Sequence, residues 1–256
     1  MISQSILMEL FSLIILVAVS FASSVMGTMI GMAMLVLLPV MIFLGMPVHT
    51  AIATGRFSMI GVSIGNITKF SRNQKIQPKY VAAFALAGVI GSFMGASFLT
   101  GFSESMLKLV IGVFMILVSI LVLFEGYLKP KGVKHKTKAS HHVLSGLAGL
   151  FIGGYIGVIG GGGATIVIFL LILIYGLSFH QAVANQKAVT LPISVIATLV
   201  FMFQGLIDYK IGILLFIVNV IGGWVGASLV LKFDSCWLKR IMVPISVIMA
   251  IKLIFF

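Results

Sequence analysis

The sequence predicts an all-α polytopic membrane protein made of two inverted repeats of about five segments each, with short or broken helices at glycine-rich breaks. Three observations predict it. The 256 residues are 61% apolar and 9% charged, with a mean hydropathy of +1.25, whereas soluble domains are about half apolar and a quarter charged. Several nearly uncharged runs reach the roughly 17 to 25 residues that a bilayer crossing needs. The chain also matches itself without a gap at an offset of 131 residues. That offset carries Gly31 to Gly162, Gly45 to Gly176, His49 to His180, Ser63 to Ser194, and Gly91 and Gly95 to Gly222 and Gly226. Self-similarity at half the chain length is a recurring mark of secondary transporters, whose site lies between the repeats.

The elements follow in order. Residues 6–25 form the first helix, and with no basic residue in MISQSILMELF and no small-residue cleavage pattern they do not read as a removable signal. From 6 to 44 the apolar sequence runs for 39 residues, about 58 Å as helix against a hydrocarbon core of about 30 Å. It must therefore break, at Gly27, Thr28 and Gly31, leaving a short segment over 30–44. Crossings over 81–99 and 107–124 complete a first repeat (1–128), and a basic linker (129–142) joins it to the second (143–256). There 144–175 breaks at GVIGGGG, Gly157 to Gly163, and crossings follow over 211–230 and 241–256. Ten segments are preferred over eight.

Charge sets the orientation. Nine of the 17 basic residues fall in two loops, Lys69 to Lys79 and Lys129 to Lys138, which marks those loops as cytoplasmic and the termini as outside. In the first repeat the loop at 69–79 is basic and the turn at Glu104 is not. In the second, Asp208 sits in the first of these turns, and Lys232, Lys239 and Arg240 follow the other. The basic side has switched, as inverted repeats require. The net charge of +12 is thereby explained without nucleic acid, for which no domain outside the membrane remains. One cysteine, Cys236, excludes an internal disulfide framework. Nucleophiles and metal-ligand types are too dispersed for an enzyme, a metal site or a cofactor.

Two cations define the candidate site. GMPVHTAIATGR ends at Arg56 and GLSFHQAVANQK ends at Lys187, the same point of the same pattern. Helices starting near Pro47 and Ser178 place both about 13 Å deep. Charge there costs about 2.5 to 3.5 kcal/mol on insertion scales, yet Glu9, Glu104, Glu125, Asp208 and Asp234 all lie near segment ends or loops. A small bound anion or a water cavity is the expected counter-charge. Thr54, Asn185 and Gln186 stand beside the cations as donors, and broken helices near Thr28, Gly31, Gly161, Gly162 and Gly163 offer free backbone N–H groups. GGGGAT lacks the lysine and hydroxyl residue of a phosphate loop. Helix packing is the competing reading of the glycines, through the four-residue spacing of Gly149, Gly153, Gly157 and Gly161. His49 and His180 are candidates for proton coupling, imidazole being the side-chain type suited to that role, or simply helix-start residues at the interface.

The repeated unit of glycine break, apolar stretch, glycine and A-x-A reads GMAMLVLLPVMIFLGMPVHTAIAT and then GGGGATIVIFLLILIYGLSFHQAVAN. It resembles the sulfite exporter (TauE/SafE) family across nearly the whole chain. That resemblance implies a cell-membrane transporter of sulfite, sulfonates or related sulfur-containing anions. The alternatives are an anion channel or a transporter of a small non-sulfur organic anion. The expected partners are the anion and the lipid bilayer, and a homo-oligomer is compatible with both.

Overall fold

A computed structural model describes residues 2–73, 76–124, 139–230 and 236–255, with the side chains of 2–9, 71–73, 124, 180 and 236–239 left out. Ten α-helices run through them: α1 (Ile2–Ile30), α2 (Ala33–Phe43), α3 (Val48–Asn73), α4 (Pro78–Phe98), α5 (Glu104–Phe124), α6 (Ala139–Val158), α7 (Gly163–Tyr175), α8 (Phe179–Phe203), α9 (Tyr209–Val230) and α10 (Cys236–Phe255). A single 3-10 turn, Leu99–Gly101, follows α4. Six of the described helices are long and apolar enough to cross a membrane. The 131-residue offset carries Val48 onto Phe179 and Pro78 onto Tyr209, so α3 and α4 begin where α8 and α9 begin. Of the basic linker read over 129–142, residues 129–138 lie outside the described residues, and 139–142 belong to the first turn of α6.

Packing between the halves is reciprocal. Helix α4 lies on α6 as α9 lies on α1, and α3 lies on α9 as α8 lies on α4. Such exchange is what an approximate two-fold relation produces. Small residues make the seams close: a methyl group at Gly91 would meet the Leu150 carbonyl oxygen at 2.0 Å, and one at Gly153 would meet that of Gly88 at 2.1 Å. Helices in lipid gain contact in this way, backbone against backbone.

Two hydrogen bonds fix the relative direction of α3 and α8. The Gln77 N–H, just past the end of α3, donates to Asn185 Oδ1 near the start of α8 at 2.9 Å. Its counterpart 131 residues on, the Asp208 N–H just past α8, donates to Thr54 Oγ1 near the start of α3 at 2.9 Å. The end of each helix therefore lies beside the start of the other, and the two run antiparallel. This supports the inverted relation read from the charges.

Helices α2 and α7, with 11 and 13 residues, extend about 16 and 20 Å, too short to span about 30 Å of hydrocarbon. Each folds back from the helix before it. Gly31 at φ +83° and Gly162 at φ +76° are equivalent positions, both in the left-handed region that glycine adopts without a Cβ penalty. The first break falls at Gly31 and Met32, four residues later than Gly27. Gly27 stays helical because Ala33 packs on it, where a methyl group would meet Ala33 Cβ at 2.3 Å. Thr28 stays helical with its hydroxyl donating to the Ser24 carbonyl at 2.7 Å. The second break spans 159–162.

Candidate functional site

The tips of the two folded-back hairpins meet. Thr165 Oγ1 at the start of α7 donates to the Ile30 carbonyl at the end of α1, 3.0 Å away. On the other tip, Tyr155 Oη donates to the Gly161 carbonyl. Between the tips, α3 and α8 cross and enclose a cavity of about 60 Å³ whose walls include Gly31, Arg56, Gly160, Gln186, Lys187 and Thr190. Both halves contribute, in equivalent places.

Arg56 and Lys187 are each only 5% exposed. Arg56 reaches across to the opposite half, its Nη2 donating to the Ile156 carbonyl at 2.7 Å, while its buried Nε has no partner. Lys187 makes no hydrogen bond or ion pair to any described residue. Among the described residues no carboxylate pairs with either cation, and the ion contact they do form is remote, His49 Nδ1 to Glu104 Oε1 at 3.9 Å. Gln186 donates from Nε2 to Thr190 Oγ1 at 2.8 Å, which leaves its buried Oε1 unpartnered. The cavity wall thus carries two cations, an unpartnered guanidine N–H and no anionic group. Unmet donors of this kind at membrane depth call for an acceptor.

Of the residues singled out in the sequence, Arg56, Lys187, Gln186 and Gly31 meet at this cavity. Thr54 and Asn185 do not line it. They receive the Asp208 and Gln77 N–H groups instead, one turn or less from the cations on the same helices. Thr28 is bonded within α1. A methyl group at Gly161 would meet Leu35, at Gly162 Val118 and at Gly163 Ile156, so these three glycines make close packing around the turn. His49 binds the Phe102 carbonyl through Nε2 at 3.0 Å, away from the cavity, and the side chain of His180 lies outside the described residues.

Thr190 was missed, and Gly160 was read only as part of the glycine break. Thr190 sits one turn beyond Lys187, and an isolated hydroxyl in an apolar helix gives no sign of what it faces. Gly160 supports the Arg56 head so closely that a methyl group there would stand 1.0 Å from Nη2. The contact joins residues 104 positions apart, and only the meeting of the two halves reveals it.

Among known proteins, the family described as "Sulfite exporter TauE/SafE" matches residues 15–253. Similar chains include a "Probable membrane transporter protein" of Haemophilus influenzae, 21% identical over 95% of this chain and 94% of its own length. Another is the "Probable membrane transporter protein YdhB" of Bacillus subtilis, 25% identical over 71% and 75% of the two chains. A third is YfcA of Escherichia coli K12, of the same description, 21% identical over 86% and 81%.

Proposed function

The chain belongs to the sulfite exporter TauE/SafE family of multi-pass membrane transporters, and we propose that its solute is a small sulfur-containing oxyanion bound between Arg56 and Lys187. The observation that carries this reading is two cations buried to 95% without a carboxylate partner among the described residues, at equivalent points of the two halves, facing one cavity. Their placement in a low-dielectric interior costs free energy that an anion offsets.

Volume narrows the class. A cavity of about 60 Å³ is several times the roughly 10 to 15 Å³ that a site needs to hold one water. Sulfite or a similar inorganic oxyanion fits that space; a long-chain sulfonate does not. Lys187 supplies a point charge and Arg56 an N–H beside the one already given to Ile156. Gln186 Nε2 keeps a second N–H after bonding Thr190, and that N–H is the part of its amide able to donate to the same oxygens. Thr54 and Asn185 act indirectly, by fixing the helix turns that carry the cations.

Alternating access follows from the two-fold arrangement, with the halves moving about a site common to both. The basic loops at 69–79 and 129–138 then face the cytoplasm and both termini lie outside.

The test is counterflow in proteoliposomes loaded with sulfite, sulfate, thiosulfate or a short sulfonate. Saturable exchange of sulfite or its inorganic relatives is expected, and Lys187→Met and Arg56→Met should each lower it at least tenfold while the protein stays folded. Wild-type exchange in both variants removes the cations from the mechanism. Conducted current without exchange identifies an anion channel.

A further inference from the structure

Beyond the cavity, two buried helix faces carry polar groups that the packing leaves unmet. On α3, residues 56, 59, 63, 66 and 70 fall within an arc of about 80° at 100° per residue. Ser63 is on the cavity wall. One turn further, Asn66 is fully buried, and neither its Nδ2 nor its Oδ1 has a hydrogen-bond partner. One more turn brings Phe70, 1% exposed. On α8, residues 187, 190, 194, 198 and 201 occupy an arc of the same width. Thr190 is on the cavity wall, Ser194 and Thr198 are buried, and Thr198 Oγ1 has no partner, not even the carbonyl one turn back that helical threonines ordinarily find. This face ends at Phe201, fully buried.

The two faces correspond at the 131-residue offset: Arg56 to Lys187, Ser63 to Ser194, Phe70 to Phe201. Because α3 and α8 run antiparallel, the faces lead away from the cavity in opposite directions. Each Phe stands 14 residues beyond its cation, about 21 Å along the helix and in the last turns before the helix ends. A buried amide with both ends orphaned, and a hydroxyl with none of its local bonds, are costly in a membrane interior unless water or solute reaches them in some state.

We infer that these faces are the two half-paths of the solute, one along α3 past Ser63 and Asn66, the other along α8 past Thr190, Ser194 and Thr198, closed at their outer ends by Phe70 and Phe201. Asn66 is a relay point: its amide donates to an oxyanion's oxygen when that half is open and is dry when it is closed. Thr198 does the same on the other half with its hydroxyl. The inference rests on the reading of the cavity as the solute site.

Thiol accessibility tests it without reference to the solute. In a Cys236→Ser background, Ser63→Cys and Ser194→Cys are treated with an anionic, membrane-impermeant thiosulfonate in vesicles of both orientations. Adding Phe70→Ala should raise modification of Ser63→Cys at least tenfold from one face only. Adding Phe201→Ala should raise that of Ser194→Cys from the opposite face only. Unchanged rates, equal rates from both faces, or both sites opening to the same face would overturn the half-paths. Asn66→Leu provides a second readout that does not need the plugs removed. Equilibrium binding of sulfite should persist and thermal stability should hold or rise, while counterflow falls at least tenfold. Wild-type counterflow in Asn66→Leu would make the residue a packing feature and overturn its role. If the wild-type protein exchanges no oxyanion, the solute assignment falls, and the labelling pattern still decides the paths.

Discussion

A methyl group at position 160 would overlap the guanidinium of Arg56, with 1.0 Å between its carbon and Nη2, at a backbone φ of +77°. Left-handed backbone costs a side-chain-bearing residue about 1 to 2 kcal/mol, and the overlap forces Arg56 off the Ile156 carbonyl. Gly160→Ala should therefore cut oxyanion counterflow at least tenfold while circular dichroism reports unchanged helix. Gly101→Ala, where nothing lies within 4 Å of the added carbon, should transport normally; equal loss in both would refute the account of Gly160. The cations themselves were legible in the sequence, because a charge in the middle of an apolar run violates the solvent and nothing nearby in sequence explains it. Thr54 and Asn185 were legible as polar and deep but not as to what they bind. Their partners, the N–H groups of Asp208 and Gln77, arrive from the opposite half, and no local pattern announces an arrival.

Helices α4 and α9 begin where those two N–H groups are held, so each start is fixed by a side chain near the start of a parallel neighbour, Asn185 of α8 for α4 and Thr54 of α3 for α9. Thr54→Val keeps the shape and removes the acceptor, leaving the Asp208 N–H unpaired at a cost of about 1 to 3 kcal/mol. Asn185→Leu does the same to Gln77. Thermal unfolding in detergent should show each variant destabilised, and the double variant by close to the sum, since the two clasps lie at opposite ends of α3 and α8. Full stability of Thr54→Val would mean that water replaces the hydroxyl. Element boundaries were readable where turn chemistry is local: Ser178 caps α8, its Oγ accepting from the Gln181 N–H while the Gln181 side chain accepts from the Ser178 N–H. The first hairpin tip was less so. Of the three residues read as the break, Gly27 packs on Ala33 and Thr28 bonds Ser24 inside a continuing helix, and the chain turns at the third, Gly31, whose equivalent, Gly162, makes the second tip.

The whole molecule is a pair of interlocked halves, and the offset of 131 residues that betrays the duplication in the sequence reappears as matched helix starts, matched left-handed glycines and matched clasps. What no one-dimensional repeat could show is that helices exchange neighbours, α4 on α6 and α9 on α1, so that the site belongs to neither half alone. Both cations and the two hairpin tips, through Gly31 and Gly160, line one small cavity. Selenite, the selenium analogue of sulfite, locates its own heavy atom in crystals through anomalous scattering. A single strong peak between Lys187 Nζ and the Arg56 guanidinium, within hydrogen-bond reach of both and absent from Lys187→Met crystals, is the predicted result. An empty cavity under concentrations that saturate counterflow, or a peak outside it, would contradict the assignment.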